Sequence, residues 1–327
     1  LLDLADRHHT TPMPGYTHMQ RAMLSSVGVW AGSYLESLLD DLTLLDAAVA
    51  LSDQSPLGSA ASYGVGLPLD RAYVSDLLGF GKVQSNVLYT QHGRGKFELA
   101  IVQACCQIML DLSKLAQDIL LFTTSEYDFF SVDDSMKTGS SIMPQKKNFG
   151  AMEMLRAKGS IITAWQQLMF NILVGLPAGY NMDNQETKRP FMESLDMVEE
   201  SSAVAGLTVA RLIPNEEKLA AACSPELFAT DVAYELVMKG VPFRNAYRQV
   251  AGMLDDLADM DPRQVLETRT HQGTSGDLRL DASEAIVQQR RSAVASRQDQ
   301  IDAINQGLLT GSAPGLAILG AAESGTA

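Results

Sequence analysis

Four stretches of this chain repeat apolar residues at steps of three and four, and that period limits it to folds built from long helices. Over residues 20–50 the series is Leu24, Val27, Trp30, Tyr34, Leu38, Leu42 and Leu45. Over 97–124 it is Val102, Cys105, Met109, Leu112, Leu115 and Ile119. Met154, Ile161, Trp165, Leu168 and Ile172 continue it over 151–173, and a fourth helix is expected over 190–212. Such spacing gathers the apolar residues on one helix face, which must be buried against another element. No stretch shows the strict alternation of a half-buried strand. The expected fold class is therefore all-α, a bundle of long helices.

Residues 52–90 are punctuated by Gly58, Gly64, Gly66, Pro68, Gly79 and Gly81 and read as irregular. A composition shift at Pro214-Asn215 divides the chain into a central helical-bundle domain, 1–212, and a smaller helical domain, 213–327. In the second, helices are expected near 226–238, 243–258 and 283–306, with a polar stretch at 270–280. The Gly-, Ala- and Ser-rich tail from Gly311 reads as mobile.

A hydrophobic content of 46% and a charged content of 20% are those of a folded globular chain. The 25 Lys and Arg against 39 Asp and Glu leave a net charge of -14, which argues against a nucleic-acid partner. An anionic substrate would be opposed by the overall field and need a local cationic cluster. Lys137, Lys146, Lys147, Lys188 and Arg189 are the candidates. The three cysteines do not make a disulfide framework, and Cys105-Cys106 falls within an apolar helical pattern, where core packing is expected. No apolar run approaches a membrane span and no signal-peptide pattern opens the chain, so a cytoplasmic protein without a membrane partner is expected.

The densest chemistry lies in Gly139-Ser140-Ser141-Ile142-Met143-Pro144-Gln145-Lys146-Lys147-Asn148. Two hydroxyls and two ammonium groups follow a glycine in a segment too polar for a core. Removing a proton next to a carboxylate needs a base, and positive charge where the enolate-like dianion develops. The structural alternative is a loop leading into a helix, with Asn148 capping the segment that begins near Ala151.

The order of these residues resembles the signature loop of the fumarase/aspartase superfamily of lyases, and Gln145-Lys146-Lys147 resembles its argininosuccinate lyase branch. Further matches run in family order: Pro14-Gly15-Tyr16-Thr17-His18-Met19-Gln20, Pro56-Leu57-Gly58-Ser59 with Asp70-Arg71, and Leu176-Pro177 with Tyr180-Asn181 and Gln185-Glu186-x-Lys188. Ser224-Pro225-Glu226, Ala229-Thr230-Asp231 and Lys239-Gly240-x-Pro242-Phe243-Arg244 complete the set.

The resemblance implies a lyase that breaks a C–N bond by anti elimination, with argininosuccinate giving arginine and fumarate, and with no cofactor or metal. Ser140 takes the position of the base, and Lys146 that of the carboxylate contact on the aci form. Ser141 and Asn148 are implied substrate contacts, and Gly139 would let the loop close. Thr17, His18 and Gln20 form a hydrogen-bonding set, read as lying near a helix start, that suits a carboxylate. The family pairs this histidine with a glutamate at the position of Glu153. Such a partner favours imidazolium, and His18 then fits either the acid that protonates the leaving nitrogen or the group that orients it. Tyr180, Gln185 and Lys188 match positions that hold the amino-acid end of the substrate. Lys147 fits a solvated or intersubunit lysine as well as a substrate contact.

Three positions depart from the branch pattern. Met182 replaces a basic residue, Phe149 replaces a proline, and Tyr89-Thr90-Gln91-His92-Gly93-Arg94-Gly95-Lys96 replaces a Ser-Asp/Glu-Arg-Asp run. The loss of acidic residues in the last of these bears on substrate identity more than on reaction class. The alternatives are a relative acting on another N-substituted aspartate, or a catalytically silent structural relative of the lens-crystallin kind. Family members also form homotetramers whose active sites are shared between subunits, and carry an N-terminal domain before the Thr17-His18 motif. Leu1 is not an initiator methionine, so a partial chain lacking that domain, inactive alone, is expected.

Overall fold

The computed structural model describes residues 1–311, apart from the side chain of Asp255. The tail expected to be mobile lies, beyond Gly311, outside the described residues. Long helices dominate: Val27–Ser52, Lys96–Phe122, Gly150–Leu173, Lys188–Ala210 and Leu280–Thr310. The fold is the all-α bundle that the periodicity implies, with strands confined to short pairs. Contacts group the chain into two compact units, each drawn from three chain segments.

The first unit comprises Leu1–Leu38, Asp111–Ala157 and Ser201–Ala285. It corrects the reading of residues 20–50: Gln20–Ser26 pairs antiparallel with Pro12–Thr17, and the helix begins only at Val27. Leu24 satisfies both a helical and a strand period, and here it is buried with Leu227, Phe228, Val250 and Leu266. The helix starts where Ser26 Oγ accepts the amide of Val29 at 3.1 Å, an N-cap that the apolar period alone does not reveal. Asp118 accepts from Trp30 Nε1 at 2.9 Å and from the Tyr34 hydroxyl at 2.8 Å. Burial, then this carboxylate, push the Tyr34 hydroxyl above its ordinary pKa.

Arg269 forks onto Asp231 at 3.0 and 2.7 Å and also donates to the Leu24 carbonyl, tying the hairpin to the C-terminal helices. The helix expected over 243–258 stops at Ala251, with Gly252 as C-cap, and a separate 3-10 turn follows at Leu254–Leu257. The helix expected from 226 begins as a 3-10 turn, Pro225–Phe228, before Ala229–Met238.

Gly28 has a packing reason to be glycine. Its amide donates to the His8 carbonyl at 2.9 Å, and a Cβ there would stand 2.4 Å from His9 Cα and 2.8 Å from the Ala5 carbonyl oxygen. Alanine gains about 1 kcal/mol of helix propensity, but backbone atoms on both sides cannot yield as a side chain would. Gly28→Ala is expected to destabilise the protein by about 1–3 kcal/mol, read as a lowered urea midpoint. An unchanged midpoint would mean that the 8–9 turn moves aside freely.

The second unit comprises Leu39–Leu110, Lys158–Glu200 and, within the described chain, residues from Ile286 onward. Arg290 pairs with Asp46, and Arg297 lies 3.5 Å from Asp53. The stretch read as irregular contains two capped short helices. Asp70 caps Arg71–Leu77 through the Tyr73 amide, and Asn86 caps Val87–His92 through Leu88 and Tyr89. One expectation needs correcting: Lys96–Phe122 is long and apolar enough by composition to cross a membrane, and half of its most apolar window is buried inside the protein. Cys105, Cys106 and Cys223 are buried and free, with thiols raised to about 11, 12 and 12 by desolvation. That is the core role expected of the Cys105-Cys106 pair.

Candidate active site

In the first unit, Thr138-Gly139 pairs antiparallel with Lys147-Asn148 and closes the segment 140–146 into a loop. Asp134 fastens its base, accepting from Lys137 Nζ at 3.2 Å and from Lys147 Nζ. The Lys147 and Lys137 hydrogen bonds hold the Asp134 carboxyl below the usual carboxylate range. Lys137 and Lys147 are thus engaged with protein, whereas Lys146 makes no side-chain hydrogen bond or ion pair among the described residues. Asn148 lies in the ladder opposite Thr138. Phe149, standing where the branch has proline, is buried, and its carbonyl accepts the amides of Met152 and Glu153 at the helix start.

Ser140 differs from its neighbours. It is half-buried while residues 141–147 are exposed. Its Oγ accepts the amides of Ile142 at 3.3 Å and Met143 at 3.1 Å. Two N–H donors aimed at one hydroxyl oxygen favour its deprotonated form, because they bind an alkoxide more strongly than an alcohol.

Thr17 and Gln20 face each other across the hairpin, and His18 and Met19 make its two-residue turn with φ of 53° and 62°. Positive φ at both central residues is the type I′ geometry normally given to Asn and Gly. A histidine and a methionine held there carry backbone strain of a kind that clusters at functional sites. The expectation of a helix start is corrected to an exposed hairpin tip. Glu153 stands exposed in the first turn of Gly150–Leu173. No hydrogen bond or ion pair joins His18 to Glu153 among the described residues.

The third group belongs to the second unit. Tyr180 precedes a 3-10 turn, Met182–Thr187, that includes Gln185 and leads into Lys188, the first residue of Lys188–Ala210. The Tyr180 hydroxyl donates to Met182 Sδ at 3.4 Å, and the Arg94 guanidinium lies 5.0 Å from the Tyr180 ring centroid. Asp134 is the participant that motif reading passed over, and Asp133-Asp134 just upstream of Lys137 was the available signal for it. Arg94 belongs to the run 89–96 that departs from the branch pattern. Among the described residues no cluster of His, Cys, Asp or Glu is arranged to hold a metal ion.

A family described as lyase matches residues 1–163, and one described as argininosuccinate lyase C-terminal matches residues 226–272. An argininosuccinate lyase of Sorangium cellulosum is 46% identical over 281 residues, covering 86% of this chain and 65% of that protein. One of Xanthomonas euvesicatoria is 38% identical over 292 residues, covering 89% of this chain and 67% of that protein. The chain thus spans 65% of the Sorangium relative and 63% of one from Xylella fastidiosa. Among solved structures, EDDS lyase in complex with formate superposes with a TM-score of 0.86 at 24% identity, over 97% of this chain and 71% of that one. A class II fumarase from Schistosoma mansoni gives 0.64 at 17% identity, over 80% and 64%. At such identities these two likenesses speak for the fold alone.

Proposed function

Since this chain belongs to the argininosuccinate lyase family, we propose that it is the larger part of a carbon–nitrogen lyase that converts argininosuccinate to arginine and fumarate. The observation that carries the proposal is the pair of loop amides on Ser140 Oγ. In this reading the Ser140 alkoxide takes a Cβ proton from the succinyl group. The C–H electron pair passes into the carboxylate, giving an aci dianion held by Lys146. The dianion then collapses to the fumarate double bond as the C–N pair leaves on nitrogen, which collects a proton. His18 supplies or orients that proton; Thr17, Gln20, Ser141 and Asn148 hold carboxylates. Tyr180, Gln185 and Lys188 hold the amino-acid end. A cytoplasmic place in arginine biosynthesis, without cofactor, belongs to the same reading. So does the division at 212/213, supported by the C-terminal family match within 226–272.

The test is fumarate release, followed by absorbance, from the complete protein given argininosuccinate and a panel of other N-succinyl amino acids. Argininosuccinate is expected to have the highest kcat/KM. Faster turnover of another member would favour a related substrate, which the Met182 contact to Tyr180 already motivates. No fumarate from any of them would end the proposal.

Assembly is part of it. Gly150–Leu173 exposes Met154, Ile161, Leu168 and Phe170, and Lys96–Phe122 exposes Leu110. Large apolar side chains repeated along helices call for a covering partner. Closed symmetry makes copies of the same chain the economical one. A homotetramer would bring the hairpin tip of one subunit to Glu153 of another. Light scattering on the complete protein is expected to give four times the chain mass, and a monomer would remove both the assembly and the His18–Glu153 pair.

A further inference from the structure

Two departures from the branch pattern meet at one aromatic ring of the second unit. Tyr180 is exposed, and its hydroxyl donates to Met182 Sδ at 3.4 Å, so a neutral thioether stands where the branch has a basic residue. The same ring carries the guanidinium of Arg94, 5.0 Å from its centroid. Arg94 comes from the run 89–96. In the branch an arginine of that run stands beside carboxylates; here Arg94 stands between Gly93 and Gly95. Both glycines serve its placement. Gly95 has φ of 78°, and a Cβ on Gly93 would lie 2.9 Å from the Tyr89 carbonyl oxygen.

Arg94 keeps donors to spare. Its side chain is half-buried and makes no hydrogen bond or ion pair among the described residues. A guanidinium held by a ring contact still offers its N–H groups, in the fork that fits a carboxylate. Arg94 also lines a cavity of about 190 Å³ together with Gly179 and Asn181, the neighbours of Tyr180, and no Asp or Glu is in that lining. Lys96 lines it too, but its ammonium lies over the Tyr89 ring at 5.7 Å. The chain carries 14 excess negative charges, yet this partly desolvated cation has no carboxylate beside it. A ligand can supply one.

Resting on the reading that Tyr180, Gln185 and Lys188 hold the amino-acid end of the substrate, we propose that Arg94 selects for the α-carboxylate of that end. It supplies from the 89–96 run the positive charge that position 182 lacks. The Tyr180 ring holds the guanidinium in place, and the cavity beside it gives the carboxylate room. An amine without an α-carboxylate leaves Arg94 unanswered. This end of the substrate does not change during the elimination, so Arg94 contributes to the ground state and the transition state alike. Its loss belongs in KM and in ligand affinity rather than in kcat.

Titration calorimetry on the complete protein tests this with L-arginine and agmatine, which differ by the α-carboxylate alone. Arg94→Met is expected to weaken L-arginine by about tenfold or more, the worth of a charged hydrogen bond, and to leave agmatine nearly unchanged. Helical circular dichroism should stay as it was. Adding Met182→Arg to Arg94→Met should restore much of the lost affinity, because Met182 is exposed and a longer basic side chain fits there. In steady-state kinetics, Arg94→Met should raise KM for argininosuccinate with kcat nearly unchanged. Equal weakening of both ligands would overturn the proposal, leaving Arg94 as a clamp on the Tyr180 segment. So would unchanged L-arginine binding, an equal loss in Lys96→Met, or a double variant no better than Arg94→Met. Failure of the substrate reading looks different: fumarate comes from another N-succinyl amino acid and not from argininosuccinate. The same comparison is then made with that amino acid and its decarboxylated amine, and a lack of discrimination by Arg94 there too would end the proposal.

Discussion

Ser140→Ala is expected to lower kcat for fumarate release by about 10²–10⁴-fold, the usual worth of a positioned general base, with substrate affinity nearly unchanged. The hydroxyl receives the amides of Ile142 and Met143 and is placed for proton removal, not for holding the ground state. Losing it removes an interaction made only in the transition state, so kcat and kcat/KM should fall together. The measurement is steady-state kinetics on the complete protein, with dissociation constants determined separately. A variant retaining nearly full turnover would take the base role away from Ser140. An equal loss of binding would instead indicate a collapsed loop.

Lys146→Met is expected to reduce kcat by about 10²–10³, as removal of one preorganised electrostatic partner does, and to raise KM as well. Its charge meets the carboxylate in the ground state and more strongly as the dianion forms. The contrast with Lys147 makes this specific. Lys147 is already paired with Asp134 at the foot of the loop, so Lys147→Met should loosen the loop without removing charge from the reacting carboxylate. The Lys147→Met loss should be clearly the smaller in kcat. Equal effects would mean that the two lysines act only as a diffuse positive field.

The long helices could be read from sequence because burial imposes a period that survives without any knowledge of partners. Val102, Cys105, Met109, Leu112 and Ile119 are all buried where that period puts them. Leu24 shows the limit: one apolar residue three positions before a helix satisfies the helical pattern while belonging to a strand, and only pairing with Pro14 decides. The loop 139–148 was legible as chemistry because its residue types are costly to keep together for structure alone. The geometry around it was not. Asp134 becomes a loop anchor only when the 138–148 ladder brings Lys147 back to it. The His18-Met19 turn adopts positive φ without Asn or Gly, so the usual signal for a tight hairpin is missing. Arg94 meets the Tyr180 ring from more than eighty residues away, a distance over which no local pattern carries information.

The division of contacts has a consequence for synthesis. The first unit is complete only when Ala285 is available, and the second needs chain beyond Ile286. Nearly all of the described residues must therefore leave the ribosome before either unit can close its core. Val27–Ser52 emerges before Lys96–Phe122, so Trp30 and Tyr34 must wait for Asp118 more than eighty residues downstream. Chains in that condition present sticky intermediates, and their slow step is the closing of long loops rather than the winding of helices. Cutting this protein at the boundary of any single segment would leave fragments that need one another to fold. Holding chaperones during translation would then matter more to its yield than the final stability of the folded chain.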